Sequence, residues 1–140
     1  MVGITKSLLF VTALHSMCVL AESPVILDED VRVVSFAEME YPIVAKLKSE
    51  QGIVVVRVAF DSRGIVRDAR ALSGPRHLIE SAVGNARKWV FHPSKESEAI
   101  VLYDFRIEET CQNPCRSQFL FRPPNVAIIR KGHLLVNPAH

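Results

Sequence analysis

Cysteine is scarce in this chain: three residues in 140, at positions 18, 111 and 115. That is too few for a disulfide-dense scaffold. With no second cysteine pair, and with His77, His92, His133 and His140 at no metal-ligand spacing, a metal site is not expected. An excess of one charge sign is also missing. Lys and Arg number 17 against 15 Asp and Glu, a formal net charge of +2. A nucleic-acid surface carries a clear basic excess, so nucleic acid is not expected as a partner. No run of five like charges makes an acidic or basic tail. Phosphate loops, nucleophile elbows, His-Glu-x-x-His pairs and dinucleotide fingerprints are absent, and Gly64 and Gly74 are isolated turn glycines. The expectation is a protein that is not an enzyme and carries no cofactor.

What is present is apolar. Hydrophobic residues make up 49% of the chain, enough for a real core, and the length fits one domain plus an address segment. Residues 1–21 read as a secretory signal. Lys6 supplies the positive start, Ser7 to Leu20 the apolar stretch, and Val19-Leu20-Ala21 a small-residue cleavage site, so the mature chain begins near Glu22. The competing reading is an uncleaved inner-membrane anchor. A spanning helix needs roughly 20 apolar residues, and this stretch is shorter and interrupted by His15 and Ser16. Cys18 lacks the Leu-rich approach of a lipid-anchored site and reads as part of the removed peptide. Cys111 and Cys115 then form an even pair in an exported chain. Asn113-Pro114 supplies a turn between them, so a disulfide is favoured over a metal site.

Residues 22–36 are a lead-in, with Val31-Arg32-Val33-Val34 apolar enough for a short strand. Tyr41 to Gly52 reads as one helix with Pro42 at its first position, Gly52 as its left-handed stop, and Ile43, Val44 and Leu47 as its apolar face. Gly52 to Asp61 alternates as a strand, with Val54, Val56, Val58 and Phe60 on the core face. Asp61-Ser62-Arg63-Gly64 closes a hairpin, Gly64 taking the positive φ. The return strand, Ile65 to Leu72, slips phase, and a β-bulge near Asp68 would restore Val66, Ala69 and Ala71 to one face. A helix from about Arg76 to Val90 follows, with Leu78, Ala82, Ala86 and Trp89 on one face; Gly84 suggests a close helix–sheet contact. Ala99 to Glu108 is a third alternating strand. Short apolar runs at 118–121, 125–130 and 134–136 read as further short strands.

In order and spacing, the elements from Ala37 to Glu108 resemble the C-terminal domain of TonB-type energy transducers. The match is carried by Tyr41-Pro42, Ala45, Gly52, Val54 to Val58, Asp61, Gly64 and Val66. It continues through Ser73-Gly74, Leu78, Ala82, Ala86, Lys88-Trp89, Phe91 and Pro93. The resemblance implies an α+β domain over 37–108, a three-stranded antiparallel sheet packed by two helices; the C-terminal extension at 109–140, with its short strands, is extra to the family pattern. It implies an interaction module of the Gram-negative-type envelope, periplasmic or secreted. The implied partner is an extended peptide of an envelope protein such as an outer-membrane transporter, captured by strand addition. Carried over, the binding edge is Ile100, Leu102, Tyr103, Asp104, Phe105 and Arg106, flanked by Tyr41 and Pro42. The chain lacks the long Pro-rich spacer of full transducers, and its segment from Thr110 onward is placed to pair with the third strand and fill that edge. The alternative is an assembly role in the envelope, including a homodimer through the apolar tail, with no transport function.

Overall fold

The computed structural model describes residues 31–95, 97–108 and 116–132. The signal segment, Cys111, Cys115 and the run at 134–136 lie outside the described residues. In chain order the elements are β1 (Val33–Ser35), α1 (Ile43–Leu47), β2 (Gly52–Phe60), β3 (Val66–Ser73) and α2 (Arg76–Ala86). They continue with β4 (Val90–Phe91), β5 (Glu98–Glu108), β6 (Gln118–Arg122) and β7 (Val126–Gly132).

Alternation builds β2 as expected. Val54, Val56, Val58 and Phe60 are buried beneath α2, while Ile53, Val55, Arg57 and Ala59 line the opposite, open face. At the hairpin, Asp61 Oδ1 accepts from the backbone N–H groups of Arg63 (2.9 Å) and Ile65 (3.1 Å), and Oδ2 from the Arg67 guanidinium (2.8 Å). Gly64 has φ 81°, and a Cβ there would sit 1.7 Å from the Phe91 carbonyl oxygen. No other residue fits, because Phe91 N–H donates to the Gly64 carbonyl at 2.8 Å and stitches the turn to β4. The β3 register slips between Ala59↔Asp68 and Phe60↔Val66, leaving Arg67 as the extra residue. This is the expected bulge, and it returns Val66 and Ala69 to the core.

Both helices are shorter than their sequence patterns. α2 ends at Ala86, and the chain turns so that Trp89 still reaches the core beside Leu78, Ala82 and Ala86. Gly84 does not mark a close contact, since nothing lies within 4 Å of a Cβ built there. α1 spans five residues, with Pro42 preceding it and Ser49, at φ 51°, taking the left-handed position expected of Gly52. Its apolar face is not a core face: Ile43, Val44 and Leu47 are 73%, 51% and 81% exposed, and only Ala45 is buried. The anchor here is Tyr41, whose ring meets Phe105 edge-on at 5.5 Å and whose hydroxyl donates to the Glu50 carbonyl.

The main sheet also departs from expectation. It has five strands in the order β3-β2-β5-β7-β6, not three, and it is mixed. β2 pairs antiparallel with β3 and β5, β7 runs parallel to β5, and β6 closes antiparallel on β7. The tail strands complete the core instead of decorating it, with Ala127, Ile128 and Ile129 all buried. A second, two-stranded sheet joins β1 to β4 through Val33↔Phe91 and Ser35↔Val90. Among the described residues no helix is long and apolar enough to cross a membrane.

Candidate functional site

Strand addition needs a strand with one row of backbone groups open to a partner. β5 does not offer one over most of its length. β7 pairs with it from Leu102↔Val126 to Glu108↔Gly132, while β2 holds its other side from Gly52↔Phe105 to Ala59↔Glu98. The expected edge at Leu102, Tyr103, Asp104, Phe105 and Arg106 is therefore an interior strand. The turn before β7 extends the closure. Asn125 accepts from Leu102 N–H at 3.1 Å through its carbonyl and donates to the Ile100 carbonyl through its side chain.

The eight residues expected at that edge separate by face. Tyr103 and Phe105 are buried on the helical side, with Tyr41 against Phe105. Burial pushes the Tyr103 hydroxyl well above the ordinary tyrosine range. Ile100, Leu102, Asp104 and Arg106 alternate with these and lie on the open face, where Arg106 and Asp104 form an ion pair. Pro42 sits apart, in a groove of about 440 Å³ between α1 and α2 that Ile43, Val44, Arg76, His77, Glu80 and Ser81 also line. His77 Nδ1 lies 2.6 Å from Glu50 Oε2 and its Nε2 lies 3.3 Å from Lys48 Nζ, tying the end of α1 to the start of α2. Among the described residues no group of three His, Cys, Asp or Glu side chains is placed to hold a metal ion.

Two strands remain as outer edges, and they differ in kind. β3 is bulged at both ends of its pairing and presents Arg67, Asp68 and Arg70 to solvent, devices that keep other strands away. β6 pairs with β7 from Gln118↔Arg130 to Arg122↔Val126 without a slip. Among the described residues no backbone hydrogen bond reaches its outer side. Phe119 and Phe121 turn toward the core, and Gln118, Leu120 and Arg122 lie on the other face. The lead-in packs along it: Phe36 stacks on Phe121 at 4.7 Å and on Phe119 at 5.6 Å, and Tyr41 N–H donates to Ser117 Oγ at 3.2 Å. The sequence pattern marked 118–121 as a strand but not as the outer one. Its signal was the alternation stopped by Pro123-Pro124, which cannot donate to a ladder.

One buried side chain adds a further hold on the lead-in. Asn85 Nδ2 donates to the Ala37 carbonyl at 2.9 Å, while its Oδ1 accepts from Trp89 Nε1 at 2.8 Å and from Tyr103 O–H at 2.9 Å. A single amide thus joins lead-in, α2 and β5.

Against known proteins, the family model described as the Gram-negative bacterial TonB protein C-terminal matches residues 37–108. No curated protein and no solved structure matches the chain.

Proposed function

The chain belongs to the TonB C-terminal family, and from that membership we propose that it is a protein-interaction domain of the Gram-negative envelope that captures an extended segment of a partner by strand addition along β6. Family membership supports the interaction role and the envelope setting. The observation that carries the choice of edge is the strand order β3-β2-β5-β7-β6. The chain's own hairpin fills the lane beside β5, and β7 is part of the core, so a partner does not displace it cheaply. The open lane has moved two strands outward, to Gln118–Arg122. Main-chain hydrogen bonds there supply affinity, and the alternating side chains supply selectivity. An outer-membrane transporter with an extended periplasmic segment is the partner class that fits, which links the domain to energy-coupled transport.

The experiment is backbone-amide NMR of the full chain, titrated with extended peptides from periplasmic segments of outer-membrane transporters. Shifts concentrated at 118–122 and at Phe36 support the reading. Shifts confined to the α1–α2 groove, or none with any peptide, overturn it.

A further inference from the structure

The open face of the main sheet carries an aliphatic strip with arginines at both ends. Val55, Leu102 and Val126 stand in one cross-strand row, through the pairs Val55↔Leu102 and Leu102↔Val126. Ile100 lies beside them on β5, and Ile53 and Leu120 extend the strip while 54% and 43% exposed. α2 covers the other face of the sheet. At the β3 end, Arg57 and Arg70 face each other directly across the strands, a placement of like charges that destabilises a sheet. At the β6 end, Arg122 stands next to Val126. Among the described residues none of these three arginines has a carboxylate partner. Of the carboxylates on this face, Asp104 and Glu108 are held by Arg106 and Arg130, and Asp68 and Glu98 stand further along, opposite Ala59.

Cations without counter-charge at the ends of an apolar strip call for an occupant that is apolar along its length and anionic at its ends. Its backbone form follows from the place. The face of a sheet, unlike its edge, offers no ladder, so a segment laid there must satisfy its own N–H and C=O groups. A helix does so. From β3 to β6 the sheet is four strand spacings wide, about 19 Å, which is the length of a helix of about 13 residues.

We infer that the open face docks an amphipathic helix of a partner protein, with an aliphatic stripe along it and Asp or Glu toward both ends. The stripe covers Val55, Leu102 and Val126. The carboxylates take the Arg57–Arg70 pair and Arg122 in charge-assisted hydrogen bonds, which removes the repulsion that the bare face tolerates. The inference stands apart from strand addition: it uses side chains of one face and leaves the outer backbone edge of β6 untouched.

The test is calorimetric titration of the full chain with a synthetic helical peptide of about 15 residues, Glu at both ends and Leu at helical spacing between, beside a twin with Lys in place of Glu. The Glu peptide should bind at least about tenfold more tightly than its twin. Arg70→Glu is the decisive variant. It sets an opposite charge across from Arg57, so the melting temperature should rise by a few degrees while affinity for the Glu peptide falls about tenfold. A gain in stability with a loss of binding cannot come from unfolding. Lys46→Glu, on α1, should leave the affinity unchanged. Amide shifts should fall at 53–57 and 100–102. Equal affinity for the two peptides, binding of neither, or indifference to Arg70→Glu overturns the inference. So do shifts at 118–122 without 53–57, which assign the peptide to the edge, and binding of phosphatidylglycerol vesicles but not the peptide, which assigns the face to a lipid surface.

Discussion

Asn85 is a polar residue where the helix pattern calls for an apolar one. It lies seven positions after Leu78, on the face that Ala82 and Trp89 share, and it is buried. That phase was the signal available in the sequence; residue type hid it, because an isolated Asn on a helix reads as surface. Its amide satisfies the Trp89 indole and the Tyr103 hydroxyl together. Asn85→Ala strands both buried donors, at about 1–3 kcal/mol each, and should lower unfolding stability by about 3 kcal/mol or more. Tyr103→Phe removes one bond and leaves Asn85 with Trp89, so it should cost about 1 kcal/mol. Urea unfolding of the two variants checks the order. The tyrosines also set an alkaline limit. Burial, and secondarily the Glu50 carboxylate, raise Tyr41 from 10.0 to about 12. A value raised on folding means that the protonated form is the native one. Its contribution is whole below pH 10 and is lost as pH climbs through about 12. Urea midpoints measured along that range should fall, and Tyr41→Phe should flatten part of the fall.

At the scale of elements, alternation was the most legible signal. β2, β3 with its bulge and β5 lie close to where the pattern put them, because a period of two says which face is buried. Helix ends were poorly legible, since tertiary contacts set them. α1 shows the failure most sharply: Ile43, Val44 and Leu47 have helical spacing, yet a five-residue helix held by Tyr41 and Ala45 leaves them in water. The two glycines of special interest have opposite fates. Gly84 is an exposed helical position with open space at Cβ, so Gly84→Ala should stabilise by about 0.5–1 kcal/mol. Gly64→Ala meets both a positive φ and the Phe91 carbonyl, and should destabilise by at least about 2 kcal/mol. Melting temperatures of the pair, moving in opposite directions, check both.

For the whole molecule, residues 37–108 were legible as a family domain, but the sheet's final order was not. Alternation says that a strand has two faces; it does not say which strand lies beside it. The parallel β5–β7 pairing, with β6 outside β7, is an order that no local pattern encodes. The energetic weight of the β6–β7 hairpin is testable. A chain ending before Arg116 loses the buried Ala127, Ile128 and Ile129 and uncovers Phe105. With each large core side chain worth about 2–5 kcal/mol, the truncated chain should show no cooperative thermal transition by circular dichroism. The small β1–β4 sheet has a mechanical consequence. Tension entering from upstream of Val31 meets first the His92 N–H bond to the Arg32 carbonyl, then the two pairs Val33↔Phe91 and Ser35↔Val90, then Asn85 on Ala37. Optical-trap extension from the N-terminus should show a short, low-force release before the main rupture, and a single rupture would refute it. Under a pull from its N-terminal side, the small sheet stands ahead of the main one as a fuse.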